Sequence, residues 1–404
     1  MLKKIKVKDV ALGMYLQEIC GSWMDHPFWK KSFVISDAKD LSTLVECGIK
    51  EIWIDTDKGL DIATEDAGLS EGESNKNVDN KLLRAAKDLS TPAPRTALQE
   101  ELSAARKIHG KAKELVTSMF NEARMGKAIQ VSEVSALVDE ISQSIFRNPE
   151  AFLCLSRLKT KDNYTYLHSV AVCALMMALG KEMMLDQALI KDLGMAGLLH
   201  DIGKMTIPDE ILNKPGRLSE AEFDVMKNHP MHGWRILQGS EGVCDIAMDV
   251  CLHHHERVDG TGYPNKLSGE ALTLYARMGA VCDVYDAITS NRCYKLGWAP
   301  ADAIRKMAEW QDDHFDSMVF HAFVKTIGIY PSGTLVKLKS TRLAVVIEQS
   351  TNNLLTPVVK IFFSTKENAP LTPETVDLSR STDSILNAED PKQWGFDLAK
   401  LTGI

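Results

Sequence analysis

The stretch YTYLHSVAVCALMMALGKEMM, residues 164–184, decides the fold because it is apolar around nearly its whole helical circumference. A helix of this kind has no polar face to turn towards water, so other elements must surround it. Its longest apolar run, SVAVCALMMALG (169–180), is too short to cross a bilayer. We therefore expect a central helix inside a helical domain, and we expect no membrane span.

Helical periodicity continues on both sides of that segment, over residues 96–330. ALQEELSAARKIHGKAKELVTSMF (97–120) has one apolar and one charged face, and QALIKDLGMAGLLHDIGK (187–204) is a second apolar helix. A capping box, Ser219 with Glu222, predicts that another helix begins at LSEAEF. This pattern is typical of a mainly α domain.

The two ends of the chain show the period-2 alternation of strands. IKVKDV and EIWID predict a small α/β domain over residues 1–60, and GTLVKLK, RLAVVIEQ and VVKIFFS predict a β-rich extension over 331–404. Residues 61–95 are polar and acidic and end in TPAPR, which is the composition of a linker. The expected order is a small α/β domain, a linker, a helical domain over 96–330 and a short β-rich extension.

The overall composition narrows the class of protein. The 404 residues are too many for one ordinary core, and the net charge of −8 offers no general basic face for DNA. The eight cysteines are scattered without a C-x-x-C pair, and Asp9 interrupts the basic start MLKKIKVKDV before any apolar run of a signal peptide. We expect a cytoplasmic protein that binds anionic ligands through a few local lysines and arginines.

Seven of the eleven histidines lie between residues 168 and 255, and two aspartates accompany them on apolar helices. Asp201 follows His200 at the end of LLHDIGK, and Asp283 lies within ARMGAVCDVYDAITS. Any single buried histidine is ordinarily structural, but an unpaired buried carboxylate costs several kcal/mol. Carboxylates and imidazoles satisfy one another when they share metal ions. A two-metal site is therefore the alternative to a purely structural cluster.

A pair of metal ions suits the hydrolysis of phosphate esters. Two ions about 3.5–4 Å apart lower the pKa of a shared water and bind the phosphate oxygens. Imidazole and carboxylate ligands without thiolates suit iron, manganese, nickel or zinc. A lone lysine or arginine is most often a solvated surface charge, but four of them lie near these residues in sequence and would neutralise a developing negative charge: Lys204, Arg257, Arg292 and Lys295.

The order of these motifs resembles a known family. HDIGK (200–204) is similar to the signature of the HD superfamily of metal-dependent phosphohydrolases. HHERVDGTGYP (254–264) with DVYDAITSNRCYK (283–295) resembles the HD-GYP subfamily of bacterial cyclic di-GMP phosphodiesterases. GMYL, the SW…PF pair and WIDTDKG resemble the small domain of unknown function that often precedes HD-GYP domains. The resemblance implies that the catalytic domain is an HD-type helical bundle.

The family pattern implies two divalent metal ions, iron or manganese, and the residues that hold them. One ion would be held by His168, His200, Asp201 and Asp283, and the other by Asp201, His229, His254 and His255. Asp201 would thus bridge the two ions. Some relatives hold a third ion with a glutamate at the position of Tyr164, and tyrosine cannot replace a carboxylate. A binuclear site is therefore expected.

The resemblance also implies contacts with the substrate. Lys204 would contact the scissile phosphate and would act in catalysis together with Asp201. Groove and phosphate contacts are implied for Gly262, Tyr263, Arg292 and Lys295.

Four other residues in this segment have no ligand role in the family pattern. His253 is expected to be spare, facing solvent or lying behind the ligands, and His232 is expected to be structural. Glu256 and Arg257 are expected to orient the loop and the ligands rather than to touch the substrate.

Three functions are compatible with this sequence. The first is hydrolysis of cyclic di-GMP to linear pGpG, and further to GMP if both bonds are cut. The second is the same chemistry on 3′,3′-cGAMP. The third is a catalytically weak module that docks to diguanylate cyclase domains, which the complete set of seven ligands argues against. A cyclic dinucleotide, a diguanylate cyclase domain and a second copy of this chain are the partners considered.

Overall fold

The computed structural model describes residues 1–20, 32–46, 49–62, 68–86, 96–156, 164–216, 218–290, 297–350 and 353–396. They fall into two compact units, Met1–Leu83 with Ala308–Trp310 and Arg84–Met307 with Gln311–Ile404. Among the described residues, no helix combines the length and the apolar character needed to cross a membrane. The mainly α fold with strands at both ends is confirmed.

The first unit is built around an antiparallel sheet with the strand order β3-β2-β4-β1-β5. Its elements are β1 (Leu2–Lys6), β2 (Tyr15–Cys20), β3 (Phe33–Val34), α1 (Ala38–Glu46), β4 (Glu51–Asp55), β5 (Gly68–Ser70) and α2 (Glu71–Ala85). Its core includes Ile5, Leu16, Leu44, Ile52 and Ile54, which are at most 1% exposed. Branched residues at alternate strand positions predict such a buried sheet face.

The stretch predicted to be a linker, residues 61–95, contains β5 and α2. Leu69 of β5 pairs with Lys4 of β1 and so extends the sheet. Within α2, Val78 and Leu82 are each 3% exposed. Two apolar residues four positions apart form a narrow buried stripe on an otherwise polar helix, so average composition does not reveal it.

The second unit contains the predicted helical domain. Its helices are α3 (Leu98–Arg124), α4 (Val131–Arg147), α5 (Pro149–Ser156), α6 (Tyr164–Glu182), α7 (Gln187–Leu199), α8 (Asp209–Leu212), α9 (Glu220–Met226), α10 (His229–Gln238), α11 (Asp245–His253), α12 (Leu274–Thr289), α13 (Pro300–Glu309) and α14 (Ser317–Ile327). Helix α6 packs against α3, α4, α5, α7, α12 and α14. It is the central helix that its apolar sequence predicts.

Helices α6 and α7 approach closely because glycines line their contact. A Cβ atom added at Gly197 would lie 2.7 Å from the Cα atom of Cys173, and one at Gly194 would overlap the side chain of Met177. Side chains there would push the helices apart. The close approach brings the end of α7, where the HD doublet lies, towards the middle of α6.

The C-terminal strands form a second antiparallel sheet in the same unit, with the order β10-β6-β7-β8-β9. Its elements are β6 (Leu335–Leu338), β7 (Arg342–Glu348), β8 (Val358–Ser364), β9 (Ala369–Asp377), β10 (Ile385–Ala388) and α15 (Pro391–Trp394). The carboxylate of Glu150 on α5 accepts hydrogen bonds from the Ser332 hydroxyl and from the Gln349 N–H. The segment predicted to be an extension is thus tied to the helices.

Candidate metal centre

The predicted ligands converge from five places in the helical domain. His168 lies on α6, His200 and Asp201 directly follow α7, and His229 begins α10. His254 and His255 directly follow α11, and Asp283 lies on α12. All are buried except His255, which is half-buried.

These seven residues form two groups, and within each group the potential ligand atoms lie within 4.8 Å of one another. The first group is His168, His200 and Asp283, and the second is Asp201, His229, His254 and His255. The carboxylate of Asp201 faces both. Its Oδ2 atom lies 3.4 Å from His200 Nε2 and 3.6 Å from His168 Nε2, while its Oδ1 atom lies 3.4 Å from His229 Nε2.

The backbone fixes the orientation of three ligand histidines. Their Nδ1 atoms donate to carbonyl oxygens: His200 to Gly197 at 2.8 Å, His229 to Met226 at 2.8 Å, and His254 to Val250 at 3.0 Å. A carbonyl only accepts, so Nδ1 carries a proton in each ring, and Nε2 offers a lone pair whenever the ring is neutral. The Nε2 atoms of His229 and His254 are 3.3 Å apart. Two lone pairs at that distance repel one another unless a cation lies between them.

The donor atoms fit divalent metal ions. Within the described residues, His200 Nε2 and Asp201 Oδ1 are buried and have no hydrogen-bond partner. Ligand bonds of about 2.0–2.2 Å to nitrogen and oxygen place neighbouring ligand atoms roughly 3–3.5 Å apart. The observed separations are close to that range, so metal coordination would satisfy atoms that are otherwise unpaired.

The electrostatics of the cluster also favour a cation. Burial by itself would raise the pKa of Asp201, but His200 and Lys204 hold it well below its ordinary value. Burial lowers the pKa of His254 to about 3, with a further lowering by the charge of His200. The pKa of His200 is raised to about 10, because the attraction of Asp201 and Asp283 outweighs burial. The carboxylates thus draw positive charge into the cluster.

Lys204 contacts the carboxylate of Asp201. It belongs to the short 3-10 helix Ile202–Thr206, and its Nζ atom is 2.5 Å from Asp201 Oδ2. Its side chain is 21% exposed, whereas that of Asp201 is fully buried. Lys204 therefore reaches from the solvent side to the carboxylate that faces both groups.

The loop after the ligand histidines packs against the second group. The ring of Tyr263 stacks on that of His255, with centroids 4.8 Å apart and an interplanar angle of 27°, and its edge meets Phe223. A Cβ atom added at Gly262 would lie 2.5 Å from the Cα atom of Glu256. Gly262 and Tyr263 are thus beside the ligands. Arg292 and Lys295 lie outside the described residues, so their phosphate contacts stay predictions.

Asp286 is a residue of this site that the sequence analysis did not identify. It is 3% exposed on α12, and its Oδ2 atom accepts a hydrogen bond of 2.6 Å from His168 Nδ1. The opposite ring nitrogen of His168 then points at Asp283, 2.9 Å away. The signal was available, because DVYD places a second carboxylate on the same apolar helix. Such a carboxylate fixes the tautomer of a ligand histidine.

Replacement of Asp286 by asparagine is expected to weaken metal binding. The amide cannot accept the proton of His168 as strongly, so the ring is less well oriented, and affinity or turnover falls about 10–100-fold. Titration of the metal-free protein with Mn²⁺ measures the effect directly. Asp139→Asn, which alters a surface ion pair with Lys191, is the matched control. An Asp286→Asn protein with unchanged Mn²⁺ affinity would contradict this role.

Comparisons with known proteins identify two matching family models. Residues 2–134 match a domain of unknown function (DUF3391), and residues 141–319 match an HD domain. A cyclic di-GMP phosphodiesterase of Pseudomonas aeruginosa is 51% identical over 415 residues, which cover 100% of this chain and 98% of the relative.

Other similarities cover less than half of this chain. A cyclic di-GMP phosphodiesterase of Vibrio cholerae is 39% identical over 189 residues, covering 43% of this chain and 38% of the relative. The 3′3′-cGAMP-specific phosphodiesterase 1 of the same organism is 37% identical over 179 residues, covering 43% of this chain and 41% of the relative. The chain therefore spans less than half of these two relatives.

Proposed function

This chain belongs to the family of HD-domain cyclic di-GMP phosphodiesterases, and from that premise we propose that its paired ligand groups hydrolyse cyclic di-GMP to linear pGpG. The observation that carries the proposal is the position of Asp201, whose two carboxylate oxygens face different ligand groups. Such a carboxylate suits two metal ions that act on one phosphodiester. The complete set of ligands supports an enzyme rather than a docking module.

We assign the ligand roles as the resemblance implies them. His168, His200 and Asp283 would hold one ion, His229, His254 and His255 the other, and Asp201 both. We propose iron or manganese, as the resemblance implies, and the nitrogen and oxygen ligands suit both ions. When bound, the two ions would polarise the phosphate oxygens and lower the pKa of a water between them.

The chain's own residues would bind and orient the substrate. The ammonium group of Lys204 would donate to a non-bridging oxygen of the scissile phosphate and offset the charge that develops there. Tyr263, held against His255, would form one wall of the substrate groove. Arg292 and Lys295 would bind the second phosphate. Water enters beside Lys204, where the site is partly exposed.

Cyclic di-GMP is the substrate favoured over 3′,3′-cGAMP. The relative that is similar along the whole chain carries the name of a cyclic di-GMP phosphodiesterase. The cGAMP-specific relative is similar over only 43% of this chain. The two substrates differ in one purine base and share the scissile phosphodiesters, so the assay must offer both.

A turnover assay tests the proposal. Protein purified without oxygen and loaded with Fe²⁺ or Mn²⁺ is incubated separately with cyclic di-GMP and 3′,3′-cGAMP, and the products are resolved by chromatography. We expect cyclic di-GMP to be cleaved faster and pGpG to appear first. The double variant His200→Ala with Asp201→Ala is expected to lose metal and activity together. Full turnover by this variant, or none by the metal-loaded wild type, would refute the proposal.

Partners and location are further proposals that follow from the resemblance. A diguanylate cyclase domain would bind at the loop that carries Gly262 and Tyr263, and a second copy of the chain would form a homodimer. Light scattering on the eluted protein tests the dimer, and pull-down with a purified cyclase domain tests the other contact. We propose that the enzyme acts in the cytoplasm, consistent with the free cysteines of the described residues.

A further inference from the structure

The ligand pair His254–His255 is flanked by two residues that both bind Asn265. The carboxylate of Glu256 accepts a hydrogen bond of 2.6 Å from the backbone N–H of Asn265. On the other side of the pair, His253 Nε2 lies 3.1 Å from the side-chain amide nitrogen of Asn265. Asn265 directly follows the Gly262–Pro264 triplet, so both contacts act on the same loop.

The ring of His253 is itself fixed in one orientation. Its Nδ1 atom donates to Asp249 Oδ1 at 2.8 Å, one helical turn earlier on α11. The other oxygen of Asp249 accepts from the hydroxyl of Thr273, the residue that caps α12. With the proton on Nδ1, the Nε2 atom accepts from the Asn265 amide. Donors and acceptors therefore match along the whole chain of hydrogen bonds.

Glu256 makes the second contact from inside the loop. It is 2% exposed, and its Oε1 atom accepts the backbone N–H of Asn265. A buried carboxylate needs hydrogen-bond donors, and the Asn265 N–H supplies one from the loop. Gly262 packs directly on the backbone of Glu256, where a side chain would not fit. Glu256 thus contacts the loop on both sides of Tyr263, at Gly262 and at Asn265.

Tyr263 lies between these fixed points. Its backbone N–H donates to the carbonyl of His255 at 3.2 Å, and its ring covers the imidazole of that ligand. Because Asn265 follows Tyr263 by only two residues, we expect a shift of Asn265 to move the ring of Tyr263. Misplacement of a binding group by about 1 Å is enough to reduce turnover strongly.

We propose that His253 and Glu256 form a clamp on Asn265 that positions Tyr263 against the ligand His255. The clamp makes His253 a positioning residue rather than a spare one. His254 and His255, which lie between the two clamp residues in sequence, face the ligand group. His253 and Glu256 hold the loop that forms the wall of the groove. The role in substrate binding rests on the proposed function, whereas the ordering of the loop does not.

Alanine variants of His253 and of Asn265, the residue whose side chain it contacts, test the clamp. His253→Ala and Asn265→Ala remove the same hydrogen bond, so each is expected to raise KM for cyclic di-GMP about threefold to tenfold. We expect kcat to change less than about twofold and the metal content to stay at the wild-type value, because no ligand is altered. The double variant should resemble the more affected single variant.

Two further variants separate positioning from general stability. His253→Gln keeps a side-chain acceptor and is expected to restore KM to within about twofold of wild type. Thr261→Ala is the matched control in the same loop, since the Thr261 hydroxyl bonds to Asp259 within the turn. It should leave KM unchanged. If the effects of the two alanine substitutions on KM add in the double variant, the clamp proposal is wrong. It is also wrong if metal is lost together with the rise in KM.

Amide hydrogen exchange on metal-loaded protein without substrate tests the clamp independently of activity. We expect faster exchange across residues 262–268 in His253→Ala and Asn265→Ala, and wild-type exchange there in Thr261→Ala. Unchanged exchange in both clamp variants overturns the proposal. If wild-type protein cleaves no cyclic dinucleotide, the proposed function fails, but this exchange result still decides whether the clamp exists.

Discussion

Asp201→Asn is expected to empty both ligand groups and to lower turnover by on the order of 10³-fold. Asparagine has the same shape but no charge, so it cannot serve two ions through two anionic oxygens. Metal ions contribute several kcal/mol of charge stabilisation to phosphoryl transfer, and about 1.4 kcal/mol corresponds to a factor of ten. In the described structure, Asp201 lies 3.4 Å from a histidine of the first group through Oδ2 and 3.4 Å from a histidine of the second through Oδ1.

Metal analysis and steady-state kinetics on the same preparation measure this effect. Asp224→Asn is the matched control, because Asp224 is an exposed carboxylate that pairs with Lys227. It is expected to keep wild-type metal content and turnover. An Asp201→Asn protein that retained two ions and normal kcat would show that Asp201 does not bridge.

Gly203→Ala is expected to disrupt the site through the backbone. An added Cβ atom would lie 2.0 Å from the carbonyl oxygen of His229 and 2.4 Å from the backbone nitrogen of Gly233. Both atoms belong to α10, so the helix must move away from the 3-10 helix that carries Lys204. We expect the free energy of unfolding to fall by roughly 3 kcal/mol or more. Turnover should fall by at least about 10²-fold, since His229 and Lys204 separate.

Urea denaturation and steady-state kinetics measure these two consequences. The matched control is Gly110→Ala on α3, where an added Cβ would meet none of the described atoms within 4 Å. Alanine in a helix is favoured by roughly 0.5–1 kcal/mol over glycine, so this control should be neutral or more stable. Normal stability and full turnover of Gly203→Ala would mean that α10 can shift without cost.

The contact between α10 and the 3-10 helix also explains His232, for which the sequence offered no functional role. Its Nδ1 atom lies 2.7 Å from the hydroxyl of Thr206, the last residue of the 3-10 helix. Thr206 in turn donates to the carbonyl of Gly203. His232 therefore ties α10 to the segment that carries Lys204, a structural role consistent with the expectation.

The sequence by itself determined the helical core and the chemical identity of the site. Continuous apolarity over residues 164–184 required a surrounded helix, and α6 is that helix. Histidine and aspartate on apolar helices implied metal ligands because buried imidazoles and carboxylates need partners. Local periodicity carries this information, since it depends only on residues close together in the chain.

Only the tertiary structure decided how the parts meet. Asp286 and His168 are 118 positions apart in the chain. A sequence also cannot show that the two oxygens of Asp201 face different ligand groups. The first histidine of HHH is the last residue of α11 and the next two follow the helix, so the three rings face different directions. Direction, and not residue type, makes His253 part of the loop clamp and makes His254 and His255 candidate ligands.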